Sequence, residues 1–438
     1  MRRGLFAKPL GCFALCFWAW LGSHAQTTQT AALLDSLDRV NNQATFDKLL
    51  LKGYTHQNRL ANRYWSLGPL LANFFQYNTV EGFVLGENLD FNKGYSNGRF
   101  LSTGLATRYG LASQQWYNKA YLSYLLNREH ETTVRFEAGR FLQQFNERNP
   151  ISQLNNTVTT LLGGYNYAKY YERSFGVVSV KHEALRGVTL TLQADYEERN
   201  PLSNTSDYSF KKVANRHFTS NNPQQPDLDD ATYSRHRAFF VDMLMKLNFD
   251  RMTNPSLVVN PSVGWKYPVV LLRYRRGIPS IGQSAVDFHK LELELTQRFE
   301  WKQWGETQYA LAAGAFLSKR PTYFIDYFHF AGNQSAFSSS RLDAFFKLDY
   351  YAYSSNTRFL QMHVEHHFNG YFLGKIPLFK KLQWHELVGL KYLHTPDLHN
   401  YMEMNIGLEN IFKFYRFDWV SNLQNGQVGM GVRFGVTF

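Results

Sequence analysis

From Thr79 to the C-terminus, apolar and polar residues alternate with a period of two. That is the spacing of a strand whose side chains point by turns to opposite faces. Between His289 and Trp301, Leu291, Leu293, Leu295, Phe299 and Trp301 alternate with Lys290, Glu292, Glu294, Arg298 and Glu300. Leu342, Ala344, Phe346 and Leu348 stand against Asp343, Lys347 and Asp349, and Leu360, Met362, Val364 and Phe368 against Gln361, His363, Glu365 and His367. Val188, Leu190, Leu192, Ala194 and Tyr196 repeat the pattern against Thr189, Thr191, Gln193, Asp195 and Glu197. At the end of the chain Val428, Met430, Val432, Phe434, Val436 and Phe438 interleave with Gly429, Gly431, Arg433, Gly435 and Thr437.

Sixteen strands are predicted, over 81–91, 99–111, 116–127, 132–142, 174–185, 187–200, 236–250, 262–276, 287–301, 305–318, 342–354, 358–369, 382–394, 400–412, 414–424 and 428–438. Residues 157–171 are a further candidate, and Pro268 interrupts the eighth strand. In this numbering the long connection 201–235 falls at the end where a barrel keeps its short turns, so either the parity is wrong or a strand has been missed. Only Gln26 to Trp65 has helical spacing, with Leu33, Leu34, Leu37, Phe46, Leu49 and Leu50 set among charged residues. It predicts one or two short helices.

Composition narrows the class. The chain has 438 residues, 44% hydrophobic and 16% aromatic, with a mean hydropathy of -0.39. Past the N-terminus no charge-free apolar run reaches the roughly 20 residues of a spanning helix, which excludes a polytopic helical membrane protein. So many aromatic side chains exclude a disordered chain. In a soluble sandwich the apolar face of each strand meets a second sheet. In a membrane barrel it meets acyl chains, while the charged face lines a wet interior. Charges rather than Ser and Thr on the polar faces favour the barrel, as do aromatic groups at strand ends: Tyr350, Tyr351 and Tyr353, and Phe412, Phe414, Tyr415, Phe417 and Trp419, read as interfacial girdles. The expected fold is all-β, a transmembrane antiparallel β-barrel of about 16 strands with a short helical N-terminal segment.

The first 25 residues read as a cleaved secretory signal peptide: Arg2, Arg3 and Lys8, an apolar stretch from Leu10 to Leu21, then Ser23-His24-Ala25. The expected organisation is signal peptide 1–25, a short periplasmic helical segment 26–65, and an outer-membrane β-barrel 66–438. The chain's 2 cysteines, Cys12 and Cys16, fall in the removed segment, so no thiol chemistry is expected of the mature protein. Losing three cations lowers the net charge from +12 to +9. In an exported chain this points to anionic lipid head groups or periplasmic polyanions rather than nucleic acid.

His363, Glu365 and His367 share one face of one strand, a spacing able to bring two imidazoles and a carboxylate to one divalent ion, with His385, Glu386, His394 and His399 nearby. A polar lumen wall accounts for the same residues without a metal, and no metal or other cofactor is expected. No catalytic residues are assigned, since neither a nucleophile elbow nor a phosphate loop is present. The expected lumen charges are Lys290, Glu292, Glu294, Arg298, Asp343, Lys347, Asp349 and Arg433, with Glu365, Glu403, Glu409, Arg416 and Asp418. Both signs on neighbouring strands suit a salt-bridged, mostly closed interior or a plug better than an ion-selective pore. Phe434, Val436 and Phe438 form a C-terminal insertion signal of the kind the barrel assembly machinery recognises.

Four separated segments carry a resemblance: Tyr77 to Phe83, Tyr267 to Gly277, Glu365 to Gly370 with Lys375 to Leu378, and Gly407 to Phe412. Over roughly residues 60–438 the chain resembles an uncharacterised Bacteroidetes-type outer-membrane β-barrel family, often fused to a carboxypeptidase-regulatory-like domain. More distantly it resembles the surface-antigen superfamily of sixteen-stranded barrels that insert or translocate other proteins. The roughly 40 residues from Gln26 to Trp65 are too few for that extra domain. The superfamily's inward-folded loop carries an Arg-Gly-aromatic motif, whereas the corresponding segment here, Phe330 to Phe337, has no arginine. With that arginine absent, the resemblance carries over the barrel and not an insertase activity, and the expected function is a non-enzymatic role in envelope biogenesis or translocation of protein or lipid. A passive or gated channel is the alternative, and a rim hydrolase the third reading. The implied partners are outer-membrane lipids, the assembly machinery during insertion, and a periplasmic or envelope protein.

Overall fold

The computed structural model describes residues 32–148, 150–211, 218–228, 232–253, 266–337, 341–424 and 426–436. A helix covers 32–41. The eighteen strands that follow are β1 (Tyr54–Asn58), β2 (Arg63–Leu67), β3 (Gln76–Asn78), β4 (Gly82–Gly94), β5 (Phe100–Gly110), β6 (Gln115–Asn127), β7 (Thr132–Gln144), β8 (Tyr170–Leu185), β9 (Val188–Pro201), β10 (His236–Asn248), β11 (Val269–Gly277), β12 (Phe288–Glu300), β13 (Glu306–Phe316), β14 (Arg358–His367), β15 (His385–Thr395), β16 (His399–Ile411), β17 (Tyr415–Gln424) and β18 (Gln427–Val436). All belong to one antiparallel sheet.

From β4 to β18 each strand pairs with the next in sequence. On the other edge of β4, β2 pairs with Phe91 and its neighbours while β3 pairs with Phe83 and its neighbours. β2 and β3 therefore lie end to end as one interrupted stave, broken by Gly68-Pro69 and the short helix Leu70–Phe74. With β4 to β18 this makes sixteen staves, and β1 forms a hairpin with β2 outside them.

The expected number was sixteen, but for partly different strands. Fifteen predicted strands correspond to β4 to β18, all within a few residues except 262–276, where β11 begins at Val269 and 262–265 lie outside the described residues. Residues 342–354, expected as a strand, form turns and irregular backbone inside the barrel, and the stave β2–β3 was not foreseen. That missing stave resolves the parity conflict. The three longest connections, 145–169, 202–235 and 317–357, all leave the same end of the barrel. The sheet begins at Tyr54, ahead of the expected boundary at residue 66. Residues 157–171 supply the end of a helix and a turn rather than a strand, and β11 starts immediately after Pro268, where a missing N–H costs no ladder bond. The expected signal peptide and Phe438 lie outside the described residues, as does the side chain of Val436.

The two faces of the sheet reverse the polarity of a soluble protein. Ile406 and Met430 are 70% and 68% exposed on the outside, whereas Lys391, Glu403 and Asp418 are 0% exposed on the inside. Apolar packing is found in the interior too, where the connections fold in. Phe328, Phe330, Phe345, Leu348 and Tyr353 of the 317–357 connection cluster with Phe359, Leu393 and Tyr401 of β14, β15 and β16. Tyr353, expected in an outer girdle, is buried in that cluster, while Phe412 and Phe414 are exposed at the turn between β16 and β17 and Trp419 is exposed in mid-strand on β17.

Candidate functional site

The interior is built from inward residues of alternating strands and from the three long connections. Arg173 of β8 pairs with Asp195 and Glu197 of β9, and Arg199 pairs with Glu197 and, at 2.9 Å, with Asp326 of the 317–357 connection. Arg148, on the 145–169 connection, reaches across to Glu292 and Glu294 of β12. Lys290 sends Nζ to the carbonyls of Asp326 and Tyr327, both at 3.2 Å, and lies 4.4 Å from the Phe328 ring centre. These buried charges are matched by partners, which burial requires.

Around Glu403 the wall holds the 317–357 connection by its backbone. The Glu403 carboxylate accepts the N–H groups of Phe346 and Lys347, each at 2.7 Å, and the Tyr401 hydroxyl at 2.7 Å. Lys391 of β15 donates to the Ala344 carbonyl at 2.5 Å, and its Nζ stands 4.0 Å from the Phe346 ring centre. Beneath it Arg416 of β17 bonds both oxygens of Glu365, at 3.0 and 3.1 Å, and both of Asp418. The segment Phe330 to Phe337 does fold inward, with Phe330, Ala331, Asn333 and Ser335 buried. It brings no arginine, and the guanidinium groups that face Phe346 on the same connection belong to Arg416 and Arg433 on the wall. Gly332 is needed for this packing, because a Cβ there would stand 2.6 Å from the Leu348 carbonyl oxygen.

Each end of the strand ladder meets one of the inward connections, 317–357 at β18 and 145–169 at β3. β18 pairs with β17 along one edge. On its other edge the Phe434 N–H donates to the Ala336 carbonyl at 3.0 Å, and the Met430 carbonyl accepts from Lys347 Nζ at 2.9 Å. Arg433 donates to the Phe346 carbonyl at 2.6 Å. At the opposite ladder end, the outward-pointing N–H of Tyr77 in β3 donates to Thr157 Oγ1 at 3.0 Å, and its carbonyl accepts from Asn156 Nδ2 at 3.3 Å. Thr157 and Asn156 belong to the short helix Gln153–Val158 of the 145–169 connection, capped by Ser152. Asn155 Nδ2 reaches Ser335 Oγ at 3.4 Å, joining the two connections. Unpaired edge groups are open to strand addition. Here internal segments occupy several of them.

Of the candidate metal residues Glu365 and His367 lie 3.7 Å apart, but each is engaged by another partner, and His363 is turned to Gln361. His363 Nε2 faces Gln361 Nε2 at 2.5 Å, Glu365 is engaged by Arg416, and His367 Nδ1 lies 3.0 Å from Glu409. His394 bonds Asn400, and Glu386 accepts the N–H of Phe372, so neither is directed at His363. Among the described residues no three His, Cys, Asp or Glu side chains lie so as to share an ion.

Of the expected lumen charges, Lys290, Glu292, Glu294 and Arg433 face inward on strands, and Arg298 pairs with Glu306 at the base of β12 and β13. Asp343, Lys347 and Asp349 are on the inward connection instead of a strand. The sequence reading missed Arg148, Arg199 and Lys391. Lys391 was hidden because Leu387 and Leu393, on the same inward face, are apolar where the connection packs on them. A cavity of about 420 Å³ remains between the connections and β11 to β14, lined by Arg148, Arg273, Glu294, Phe330, Gln361 and His363 among others.

Several solved structures are similar in fold. BamA from Haemophilus ducreyi lacking POTRA domains 1-3 aligns at 11% identity and a TM-score of 0.45, over 82% of this chain and 67% of that one. CdiB from Acinetobacter baumannii aligns at 11% identity and a TM-score of 0.37, over 82% of this chain and 57% of that one. OccK11 (OpdR) from Pseudomonas aeruginosa aligns at 10% identity and a TM-score of 0.31, over 81% and 91%. A search of curated proteins finds no match. The C-terminal domain of a family of unknown function, DUF5686, matches residues 46–408, and the chain belongs to that family.

Proposed function

We propose that the chain is an outer-membrane barrel acting in envelope biogenesis, moving protein or lipid across or into the membrane without enzymatic chemistry. Exposed apolar side chains outside and buried charges inside suit a wall solvated by acyl chains. The short-turn end then faces the periplasm and the three long connections lie at the outer end. Outer-membrane lipids, the insertion machinery and an envelope protein are the partners this reading requires.

One observation favours biogenesis over a passive channel. The lumen is occupied by the chain's own connections, and two of these each hold one end of the strand ladder, 317–357 the β18 edge and 145–169 the β3 edge. A permanently open pore has no use for that arrangement, whereas a barrel whose wall must yield to a client does. Phe337 and Phe434 are bridge partners across one of these contacts. A Phe337→Cys/Phe434→Cys disulfide should therefore abolish complementation of an envelope-assembly defect in a deletion strain, and reduction should restore it. In planar bilayers the wild-type barrel should stay closed. Large stable openings without an assembly defect would instead establish the channel.

A further inference from the structure

The turns at the short-turn end differ from one side of the barrel to the other. Between β4 and β9 they are polar: Ser96, Asn97 and Arg99, then Arg128, Glu129 and His130, then Arg186. Between β12 and β17 the connections 301–305, 368–384 and 412–414 contain no Asp or Glu. They carry five exposed lysines, Lys302, Lys375, Lys380, Lys381 and Lys413. Exposed apolar side chains stand between these, with Leu378 61% and Phe412 71% exposed beside Trp304, Phe372 and Ile376.

These three connections form one platform. The Trp304 and Tyr371 rings stack at 4.6 Å, and Asn410 Nδ2 donates to the Gln383 carbonyl at 2.6 Å. Glu386 accepts the N–H groups of Phe372 at 2.7 Å and Leu373 at 3.3 Å, which fixes the loop's path and engages the carboxylate nearest to it in sequence. The helix Pro377–Leu382 starts on a proline and ends on Lys380 and Lys381, a favourable charge order. Lys375 Nζ lies 4.1 Å from the Tyr371 ring centre.

We propose that this sector is a lipid-binding platform that sinks into the head-group layer on the short-turn side and holds phosphate-bearing lipids through its lysines. The inference rests on the membrane reading above. Trp and Tyr favour the interface, and lysine stems can lie along apolar surface while the ammonium reaches phosphate. Two features select a bilayer as the occupant over a protein. Five exposed lysines outweigh Glu300, exposed at the end of β12, and suit an anionic surface, and the apolar groups continue the outward belt of Val388, Ile406 and Trp419 directly above. The amphipathic pattern is that of an interfacial segment.

The chain's 2 cysteines are Cys12 and Cys16, so with both replaced by serine, single-cysteine variants of the full chain can carry an environment-sensitive probe. Leu378→Cys, Ile406→Cys and Asn97→Cys would be labelled and the barrel reconstituted in phosphatidylcholine vesicles with and without phosphatidylglycerol. Brominated lipid should quench the probes at 378 and 406 several-fold more than the one at 97. Phosphatidylglycerol should strengthen quenching at 378, and a Lys375→Gln/Lys380→Gln/Lys381→Gln variant should lose that increment. If position 406 is quenched by lipid while 378 is quenched by aqueous iodide, the platform is refuted and the membrane reading stands. If 406 is also water-exposed, the membrane reading itself fails. Shielding of 378 from both quenchers only when envelope extract is added would overturn the lipid assignment in favour of a protein partner.

Discussion

The inner and outer faces of β16 differ by one residue in register and by everything in environment. Tyr401, Glu403 and Asn405 point in and are buried, with Glu403 holding two backbone N–H groups of the inward connection. Met404 and Ile406 point out and are exposed. A charge is therefore tolerated on the crowded side of this strand and an apolar group on the open side. What matters is whether partners exist: the interior supplies hydrogen bonds and counter-charges, while the exterior supplies none and is stable only if its solvent is apolar.

Substitutions that invert either face should test this difference. The largest effect is expected for Arg416→Leu, which leaves Glu365 and Asp418 buried without their guanidinium and should cost about 3–5 kcal/mol in the urea stability of the reconstituted barrel. On the outside, Ile406→Arg should cost about 2–4 kcal/mol in lipid vesicles. A negligible cost there would mean that the outer face is in water. Gly332→Val should cost about 1–3 kcal/mol, because it presses on the Leu348 carbonyl and loosens the inward connection. Protease sensitivity of residues 317–357 should rise with it.

A further effect is set by pH rather than by substitution. His329, on the inward connection, donates from Nε2 to the Phe324 carbonyl at 3.0 Å and accepts at Nδ1 from Ser354 at 2.7 Å. Burial, and after it the charge of Lys290, push its imidazole down to about 3 from 6.5. Between those values the released connection takes up a proton and the docked one does not. Docking should therefore weaken as pH falls below 6.5 toward 3, by up to about tenfold per pH unit. Protease accessibility measured across that window should show it, and His329→Gln should flatten the profile.

The alternation of β12, β14 and β18 was legible because one side of each strand is apolar and the other is polar and charged in β12 and β14 and mostly glycine in β18. Two segments defeat the same rule for opposite physical reasons. Residues 342–349 alternate without being a strand, because they run between an apolar cluster and a charged wall and so meet two environments. Phe346 and Lys347 give their N–H groups to the Glu403 carboxylate instead of a ladder. The stave β2–β3 is a genuine wall element, yet Gly68-Pro69 and a helical turn divide it into runs of five and three residues, too short for a period to register. In the interior, Glu365, Glu403, Arg416 and Asp418 could be named from parity alone. Arg148 could not, because only the folded connection carries it to Glu292.

The most direct test of the central claim is gel migration of the membrane-extracted protein with and without boiling, together with its partition between membrane and buffer. A lipid-solvated barrel predicts recovery in the membrane fraction and a folded form that runs faster than the boiled one. A chain that stays monomeric in detergent-free buffer and migrates identically in both lanes would contradict it.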